Sequence, residues 1–278
     1  MSITQFMRNG VFSGAEGKKS LIDLNIPINF NGKIILFIHG LMGYKDWGCW
    51  NLVENYFVHI GYGFCKFNVS HNGGTIENGI DFSDLDAFSV NSYYKEYIDT
   101  LAAISWIKEN ALPHQSISLV GHSRGGGMAV LQSSNETISA IVSWAGISSI
   151  EKRFPTGEAL KKWKEKGVKY HLNSRTNQQM PSNYLQFEEF CLHKEQLNIE
   201  SSCKNSLKPT LLIHGDHDTS VPIEEGHQLA NWLNTKLHII ENGDHTFGSK
   251  QPWTNKEMPE QLLQVCKITA HFFEMTLL

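Results

Sequence analysis

The sequence predicts an α/β fold in which a mostly parallel central sheet carries helices on both faces. Short runs rich in β-branched residues recur along the chain, and each ends in Gly, Asn or a polar cluster. Segments of helical length lie between these runs, which is the order of repeated βαβ units. Several runs are apolar throughout, such as KIILFIHG (33–40), as strands buried on both faces require.

The elements follow in order along the chain. The N-terminal region to about Ile28 contains the alternating stretch LIDLNIPI and predicts one or two antiparallel edge strands. Asn91 is a candidate N-cap for a helix at 90–110, whose apolar positions recur at helical spacing. The remaining elements are predicted from the same patterns. We expect strands at 33–40, 64–69, 117–121, 138–144, 209–215 and 237–243, and further helices at 47–60 and 258–276.

One segment interrupts this alternation. Residues 149–206 form a long polar and aromatic stretch between two strands that a short crossover would ordinarily join. Structureless loops of this length are uncommon in compact domains, so we expect helices within the segment and a role as a lid over the carboxyl edge of the sheet. The predicted organisation is therefore a single domain over residues 1–278 with a cap insertion at about 149–206.

Two features of this segment allow alternatives. The lysines of KKWKEKGVK (161–169) are expected on a solvated helix face rather than in a binding patch. The aromatic side chains in and beside the segment either line a substrate pocket or form a small core of the cap. They are Trp144, Phe154, Trp163 and Tyr184.

Composition limits the classes of function. A chain of 278 residues with 41% hydrophobic residues, 19% charged residues and a net charge of −4 is typical of an ordinary globular protein, which argues against a nucleic-acid partner. The first 20 residues hold no apolar run of signal-peptide length, and no later window approaches the ~18 apolar residues of a membrane span. We therefore expect a cytoplasmic protein with no membrane partner.

Cysteine and histidine patterns argue against a metal or a disulfide framework. The five cysteines are odd in number and scattered, with no C-x-x-C pair, which favours reduced thiols. The 13 histidines include no H-x-x-x-H pair on a helical stretch and no Cys/His cluster at ligand spacing. No metal and no cofactor are expected.

The stretch VGHSRGGGM (120–128) places a serine in the pattern G-x-S-x-G, formed by Gly121, Ser123 and Gly125, between a predicted buried strand and a helix. Glycines suit such a sharp turn because a neighbouring Cβ would collide there. The helix N-terminus adds backbone N–H groups that favour an oxyanion nearby. The alternative interpretation is a glycine-rich turn in which the serine only caps the helix.

A serine hydroxyl becomes a good nucleophile only when a base accepts its proton, and a carboxylate commonly orients that base. Asp218 follows the predicted strand at 209–215, and His245 follows the strand that begins at 237. Loops at the carboxyl ends of parallel strands converge on one crevice. We therefore expect Ser123, Asp218 and His245 to meet there.

Here the chain resembles the α/β-hydrolase superfamily. The matching pieces are HGLMG (39–43), GHSRGG (121–126), HGDHDTSVP (214–222) and GDHTF (243–247), in the family's order. They span most of the chain, apart from the insertion. The set looks most like the dienelactone-hydrolase and cinnamoyl or feruloyl esterase branch, whose members also carry an insertion before the strand that leads to the acid.

The resemblance implies a role for each residue of this set. Ser123 would attack a carbonyl to form an acyl-enzyme, His245 would act as base and then as acid, and Asp218 would hold the imidazole. The family's H-G-x-x-D-x-x-V-P spacing selects Asp218 over two rival carboxylates, Asp216 and Asp244.

The resemblance also implies an oxyanion hole made of two main-chain N–H groups, those of Leu41 and Arg124, with Met42 as the alternative to Leu41. The Arg124 side chain either binds an anionic substrate or pairs with a carboxylate. Other histidines lie close to these motifs. His39 and His122 are expected to brace loops, while His71 either contacts substrate or hydrogen-bonds its own loop.

The predicted function is that of a serine hydrolase that cleaves a carboxylic ester of a small-molecule substrate through an acyl-enzyme, without a cofactor. A thioesterase, amidase or peptidase with the same triad is the nearest alternative. A non-catalytic ligand-binding member of the fold is another. Ser123 argues against dehalogenases and epoxide hydrolases, which need an aspartate at that position.

Overall fold

The computed structural model describes residues 4–173 and 175–277. Its strands are β1 (Gln5–Ser13), β2 (Lys19–Ile26), β3 (Lys33–Ile38), β4 (Gly63–Phe67), β5 (Ser116–His122), β6 (Ile138–Trp144), β7 (Val168–Asn173), β8 (Gln178–Asn183), β9 (Thr210–Gly215) and β10 (Leu237–Ile240). Its α-helices are α1 (Trp50–His59), α2 (Leu85–Ser89), α3 (Tyr93–Asn110), α4 (Arg124–Leu131), α5 (Gly157–Lys166), α6 (Leu185–Leu192), α7 (Ile199–Lys204), α8 (Ile223–Leu233) and α9 (Glu260–Thr276).

The central sheet has eight strands in the order β1-β2-β4-β3-β5-β6-β9-β10. The pairs from β4 to β10 along this order are parallel, whereas β1–β2 and β2–β4 are antiparallel. The predicted α/β fold is confirmed, and so is the antiparallel N-terminal edge.

The sheet is buried on both faces because successive residues of each parallel strand enter opposite core clusters. In β3, Leu36 and Ile38 join the cluster that also holds Ile107 of α3, while Phe37 joins the cluster that holds Phe273 of α9. Helices α3, α4 and α8 cover the first face, and α1 and α9 cover the second. The uninterrupted apolar runs in the sequence reflect this two-sided burial.

One local prediction, the N-cap of the helix at 90–110, needs correction. The N-cap of α3 is Ser92, whose hydroxyl accepts the N–H of Lys95 at 3.1 Å, and not Asn91. The Asn91 amide instead donates to Glu96 Oε1 at 2.7 Å. Strand β2 is buried on both sides of the sheet, and its Asp23 is buried beside charged partners such as Lys45, at 2.8 Å.

The segment 149–206 contains helices, as predicted, and also a two-stranded antiparallel hairpin, β7–β8, that was not predicted. Helix α5 ends at Gly167, which has a φ of 72° and turns the chain into β7. Several aromatic side chains of the segment, including Phe154, Trp163 and Phe190, belong to the same core cluster as α3 and α4. In the described part of the chain, no helix combines the length and apolar character needed to cross a bilayer.

Candidate active site

Ser123 occupies a sharp turn between β5 and α4, with φ 59° and ψ −119°. Such a conformation is uncommon for a residue with a side chain and is held by the packing around it. A Cβ atom at position 121 would lie 2.0 Å from the Gly125 carbonyl oxygen, and one at position 125 would lie 2.2 Å from the Ile38 carbonyl oxygen. Only glycine at both positions lets strand, turn and helix approach this closely.

The loops after β9 and β10 are joined by close backbone contact. A Cβ atom at Gly215 would lie 2.1 Å from the carbonyl oxygen of Gly243, and the N–H of His217 donates to that same oxygen at 3.0 Å. Asp218 and His245 follow these two glycines by a few residues. The backbone contact therefore sets the distance between the carboxylate and the imidazole.

The structure brings Ser123, His245 and Asp218 into one hydrogen-bonded chain. The hydroxyl oxygen of Ser123 lies 2.9 Å from Nε2 of His245, and Nδ1 of His245 lies 2.8 Å from Oδ2 of Asp218. Both distances are those of ordinary hydrogen bonds. This arrangement lets Nδ1–H donate to the carboxylate while Nε2 accepts the hydroxyl proton of Ser123.

Asp218 is held as a carboxylate by several donors. Its side chain is fully buried, and Oδ1 accepts the N–H groups of Ser220 at 2.8 Å and Val221 at 2.9 Å. Burial alone would raise the pKa of Asp218, but hydrogen bonds from His214 and His245 keep it far below the usual range. Nε2 of His214, a residue expected only as part of a strand, lies 3.3 Å from Oδ2.

The rival carboxylates are in different surroundings. Asp216 is exposed, although it precedes Asp218 by only two residues. Asp244 is exposed as well, and its Oδ1 accepts the N–H groups of Thr246 and Gly248 within a local turn. Of the three, Asp218 alone contacts the His245 ring.

The two histidines beside the motif glycines hydrogen-bond to neighbouring loops. Nε2 of His122 lies 2.7 Å from the backbone carbonyl oxygen of His245, and burial lowers the pKa of His122 to about 3, so the ring is neutral and donates. In His39, Nδ1 lies 2.8 Å from the Gly40 carbonyl oxygen, while Nε2 accepts the N–H of Val69 at 3.2 Å. Burial also lowers the pKa of His39.

Backbone N–H groups are available beside Ser123. A turn closed by the N–H of Gly43 and the carbonyl of Gly40, at 3.1 Å, carries Leu41 and Met42. This turn lies close to Ser123, since a Cβ atom added at Gly40 would lie 3.0 Å from the Cβ of Ser123. Within residues 4–173 and 175–277, neither the Leu41 N–H nor the Arg124 N–H has a hydrogen-bond acceptor.

A cavity of about 420 Å³ opens above this turn. Ser123, His245, Leu41 and Met42 line it. The rest of the lining comes from the α2–α3 region, from the start of α4, from the loops that follow β6 and β9, and from the segment 149–206. These lining residues are Phe88, Asn91, Tyr93, Arg124, Ile147, Arg153, Phe154, Trp163, Lys169, His171, Ser182, Gln186, Ser220 and Val221.

The aromatic side chains in and beside the segment 149–206 differ in whether they line the cavity or pack in a core. Phe154 and Trp163 line the cavity and also pack on each other, with ring centroids 6.2 Å apart. They therefore belong both to the pocket wall and to the core of the cap. Tyr184 packs against Trp163 at 5.4 Å. Trp144 lies in the sheet core, where its indole N–H donates to Thr269 at 3.1 Å.

The structure also shows the surroundings of Arg124, His71 and the lysines of α5. Arg124 lines the cavity and pairs with Glu96 at 2.8 Å, while its guanidinium lies 4.1 Å from the Tyr93 ring centroid. His71 is buried, with Nδ1 2.8 Å from the Ser70 hydroxyl, and so hydrogen-bonds within its own loop. The lysines of α5 are exposed, as expected. They are Lys161, Lys162, Lys164 and Lys166.

Three basic lining residues were missed in the sequence. Arg153 follows β6 in a short 3₁₀ turn, and Lys169 and His171 belong to β7. The signal available was the glycine at 167, which ends α5 and moves Lys169 off the solvated helix face. Among the described residues, no group of three or more His, Cys, Asp or Glu side chains is arranged to hold a metal ion.

Known proteins resemble this chain at the level of the whole fold. The structure of Est1E from Butyrivibrio proteoclasticus is 20% identical with a TM-score of 0.71, covering 98% of this chain and 99% of that one. A second structure of that protein carries bound ferulic acid. Dienelactone hydrolase from Anabaena variabilis is 20% identical with a TM-score of 0.63, covering 98% of each chain.

A peptidase is also similar. The acylaminoacyl peptidase of Pyrococcus horikoshii is 17% identical with a TM-score of 0.64, covering 99% of this chain and 42% of the peptidase. No curated protein sequence matches the chain significantly. The sequence model of the prolyl oligopeptidase family matches residues 55–258. The chain therefore belongs to the prolyl oligopeptidase family, among the serine hydrolases with the α/β-hydrolase fold.

Proposed function

We propose that this protein hydrolyses a carboxylic ester of a small molecule through an acyl-enzyme formed on Ser123. The observation that carries the proposal is the hydrogen-bonded chain from Ser123 through His245 to Asp218 at the base of a cavity of about 420 Å³. A volume of this size suits a small-molecule ligand, for which sites of ~300–1,000 Å³ are usual.

Acylation begins when the Ser123 oxygen attacks the ester carbonyl and its proton passes to Nε2 of His245. The Asp218 carboxylate, 2.8 Å from Nδ1, stabilises the imidazolium that results. The N–H groups of Leu41 and Arg124 donate to the oxyanion of the tetrahedral intermediate. When the intermediate collapses, His245 returns its proton to the leaving alcohol.

Deacylation repeats these steps with water. His245 removes a proton from a water molecule, the resulting hydroxide attacks the acyl carbonyl, and the same N–H groups stabilise the second oxyanion. Collapse returns the proton from His245 to Ser123 and releases the carboxylic acid. The segment 149–206 acts as a cap in this cycle, since its side chains form much of the wall that separates the acyl-enzyme from solvent.

Two observations support an ester as the substrate. The proteins named Est1E and dienelactone hydrolase align with this chain over nearly the full length of both partners. In addition, none of the described residues that line the cavity is Asp or Glu. A peptidase that removes free amino-terminal residues needs such a carboxylate to bind the substrate's ammonium group, so the lining argues against an aminopeptidase, though not against a peptidase that acts on blocked or internal residues.

A peptidase or acylaminoacyl hydrolase is the second candidate, because the matching family model is that of the prolyl oligopeptidases. The two functions differ in the leaving group that His245 must protonate. Comparing N-acetylalanine p-nitroanilide with phenyl butyrate distinguishes them: we expect turnover of the ester to exceed that of the anilide by more than tenfold in kcat/KM.

The test of the proposal is hydrolysis of phenyl butyrate together with labelling by a fluorophosphonate, with the labelled residue mapped by peptide mass spectrometry. We expect label on Ser123 and a fall of at least about 10³-fold in kcat for Ser123→Ala. Ser134→Ala, at an exposed serine beyond the end of α4, is the matched control and should leave both readouts unchanged. Retention of esterase activity by Ser123→Ala would refute the proposal.

A further inference from the structure

The wall of the cavity carries basic side chains and no acidic ones among the described residues that line it. Besides His245, the basic residues are Arg124, Arg153, Lys169 and His171. Arg124 and Arg153 are each neutralised by a carboxylate outside the lining set. Glu96 pairs with Arg124 at 2.8 Å, and Glu225 hydrogen-bonds to Arg153.

Lys169 is the cation without such a partner. It lies in β7, half-buried, and its ammonium group sits 3.9 Å from the centroid of the Trp163 ring. No carboxylate within the described chain forms an ion pair with it. Burial lowers the pKa of the Lys169 ammonium group, and no nearby carboxylate offsets that effect.

Arg153 lies on the same wall and is engaged by Glu225. Its terminal nitrogen bonds to Glu225, which is itself fixed by the N–H of Ser148 at 2.8 Å. The Nε–H of Arg153 is buried and has no acceptor among the described residues. Because this nitrogen has no surface exposed to the cavity, it does not bind a ligand directly, and Lys169 is the group available to a ligand.

These features occur together in a cavity that contains the reactive serine. A bound ammonium–carboxylate pair at a partly buried position is stronger than the same pair at an exposed surface. Burial lowers the pKa of His171, and the neighbouring charges of Lys169 and Arg124 lower it further. An anionic group on the substrate would be attracted to this wall, and a cationic group would be repelled.

We propose that the preferred substrate is an ester bearing a carboxylate, which binds Lys169 while Ser123 attacks the ester carbonyl. The inference rests on the proposed esterase function and specifies its substrate class. Aromatic rings of Phe154 and Trp163 contact the apolar atoms between the two carbonyl groups. The product is then a dicarboxylic acid or a hydroxy acid, depending on which arm of the ester holds the charge.

Two matched pairs of esters test the proposal. Phenyl hydrogen adipate and phenyl methyl adipate differ by a charge on the acyl arm. The acetate esters of 4-hydroxybenzoic acid and of its methyl ester differ by a charge on the alcohol arm. For each pair, the ratio of kcat/KM for the anionic ester to that for the neutral ester is measured in the wild type and in variants, so that intrinsic reactivity cancels.

The variants are Lys169→Met, Lys169→Arg and, as a matched control, Lys162→Met at an exposed position of α5. We expect Lys169→Met to lower the ratio about tenfold for one of the two pairs. Lys169→Arg should keep most of the ratio, and Lys162→Met should keep all of it. The pair that responds identifies the arm that carries the carboxylate.

A measurement on the wild type alone guards against misfolding of the variants. We expect the same ratio to fall as NaCl is raised to about 1 M, because salt screens the attraction. If neither ratio depends on Lys169 or on salt while the neutral esters are still hydrolysed at Ser123, the proposed substrate class is wrong and the esterase function stands. If the neutral esters are not hydrolysed and Ser123 is not labelled, both proposals are wrong.

Discussion

Nε2–H of His122 donates to the backbone carbonyl of His245 at 2.7 Å, so the residue before the nucleophile holds the loop of the base. The two rings also pack together, with centroids 4.9 Å apart, and the Trp50 ring packs on His122 as well, at 5.2 Å. Strand β5 thus fixes Ser123 and, through His122, the main chain that carries the imidazole. His122 is a positioning residue in this arrangement.

The first prediction concerns this hydrogen bond. His122→Phe keeps an aromatic ring but removes the donor, so the His245 loop loses a restraint and the Ser123–His245 distance becomes variable. We expect kcat for phenyl butyrate to fall by about 10- to 100-fold with little change in KM, because small displacements of reacting groups are costly. His122→Gln, which can still donate, should recover most of the rate. Equal losses in both variants would contradict the positioning role.

The second prediction concerns stability and pH. His122 has a pKa of about 3 in the folded protein against a usual value of 6.5, so between these values the folded state binds fewer protons than the unfolded state. Stability contributed by the neutral ring is therefore present above pH 6.5 and lost as the pH falls toward 3. Between pH 6.5 and about 5, the expected loss from this one group is about 2 kcal/mol of unfolding free energy.

Urea unfolding at these two pH values measures this loss. His122→Gln has no titrating ring, so its unfolding free energy should depend less on pH than that of the wild type. His227→Gln, at an exposed position of α8, is the control and should follow the wild type. An identical pH dependence in all three proteins would show that His122 titrates normally.

The third prediction compares the effects of Asp218 and Asp216 on kcat. Asp218→Asn should lower kcat by about 10³- to 10⁴-fold, because an amide can turn its N–H toward Nδ1 and favour the wrong imidazole tautomer. Fluorophosphonate labelling of Ser123 should slow as well. Asp216→Asn removes the same charge from an exposed position two residues earlier, and we expect kcat to stay within twofold of the wild type. The reverse order of effects would reassign the carboxylate.

Much of the fold was predictable because its signals are local. A strand buried on both faces needs an uninterrupted apolar run, and β3 and β9 have such runs. The closeness of Ser123, Asp218 and His245 followed from the parallel sheet, since each of these residues lies in the turn or loop that follows the carboxyl end of a parallel strand. The glycines at 121, 125, 215 and 243 are visible in the sequence, but the contacts that require them are not.

Other features depend on partners far away in sequence. Ser92 and Asn91 are both good helix caps, and the choice of Ser92 follows from the hydrogen bond between Asn91 and Glu96. Strand β7, VKYHLN, does alternate apolar and polar residues, but its apolar Tyr170 and Leu172 are exposed while Lys169 and His171 line the cavity, the reverse of what such an alternation ordinarily predicts. Lys169 looked like one of several surface lysines, and only the turn at Gly167 assigns it to the cavity wall.

The fourth prediction concerns the cap itself. Trp163 is buried, lines the cavity, and donates its indole N–H to the Ser182 carbonyl at 2.9 Å, which joins α5 to β8. Trp163→Ala removes both the ring and this bond. We expect a loss of about 3–5 kcal/mol in unfolding free energy, as for other buried aromatic truncations, and a larger cavity beside Ser123.

A larger cavity changes selectivity as well as stability. In a series of neutral phenyl esters from acetate to octanoate, Trp163→Ala should shift the highest kcat/KM toward longer acyl chains. Tyr184→Ala is the matched control, because Tyr184 packs on Trp163 at 5.4 Å and is not among the described residues that line the cavity. It should destabilise the protein without changing the chain-length preference. If both variants shift the preference equally, loosening of the cap explains the change, and the Trp163 ring does not itself limit the acyl chain.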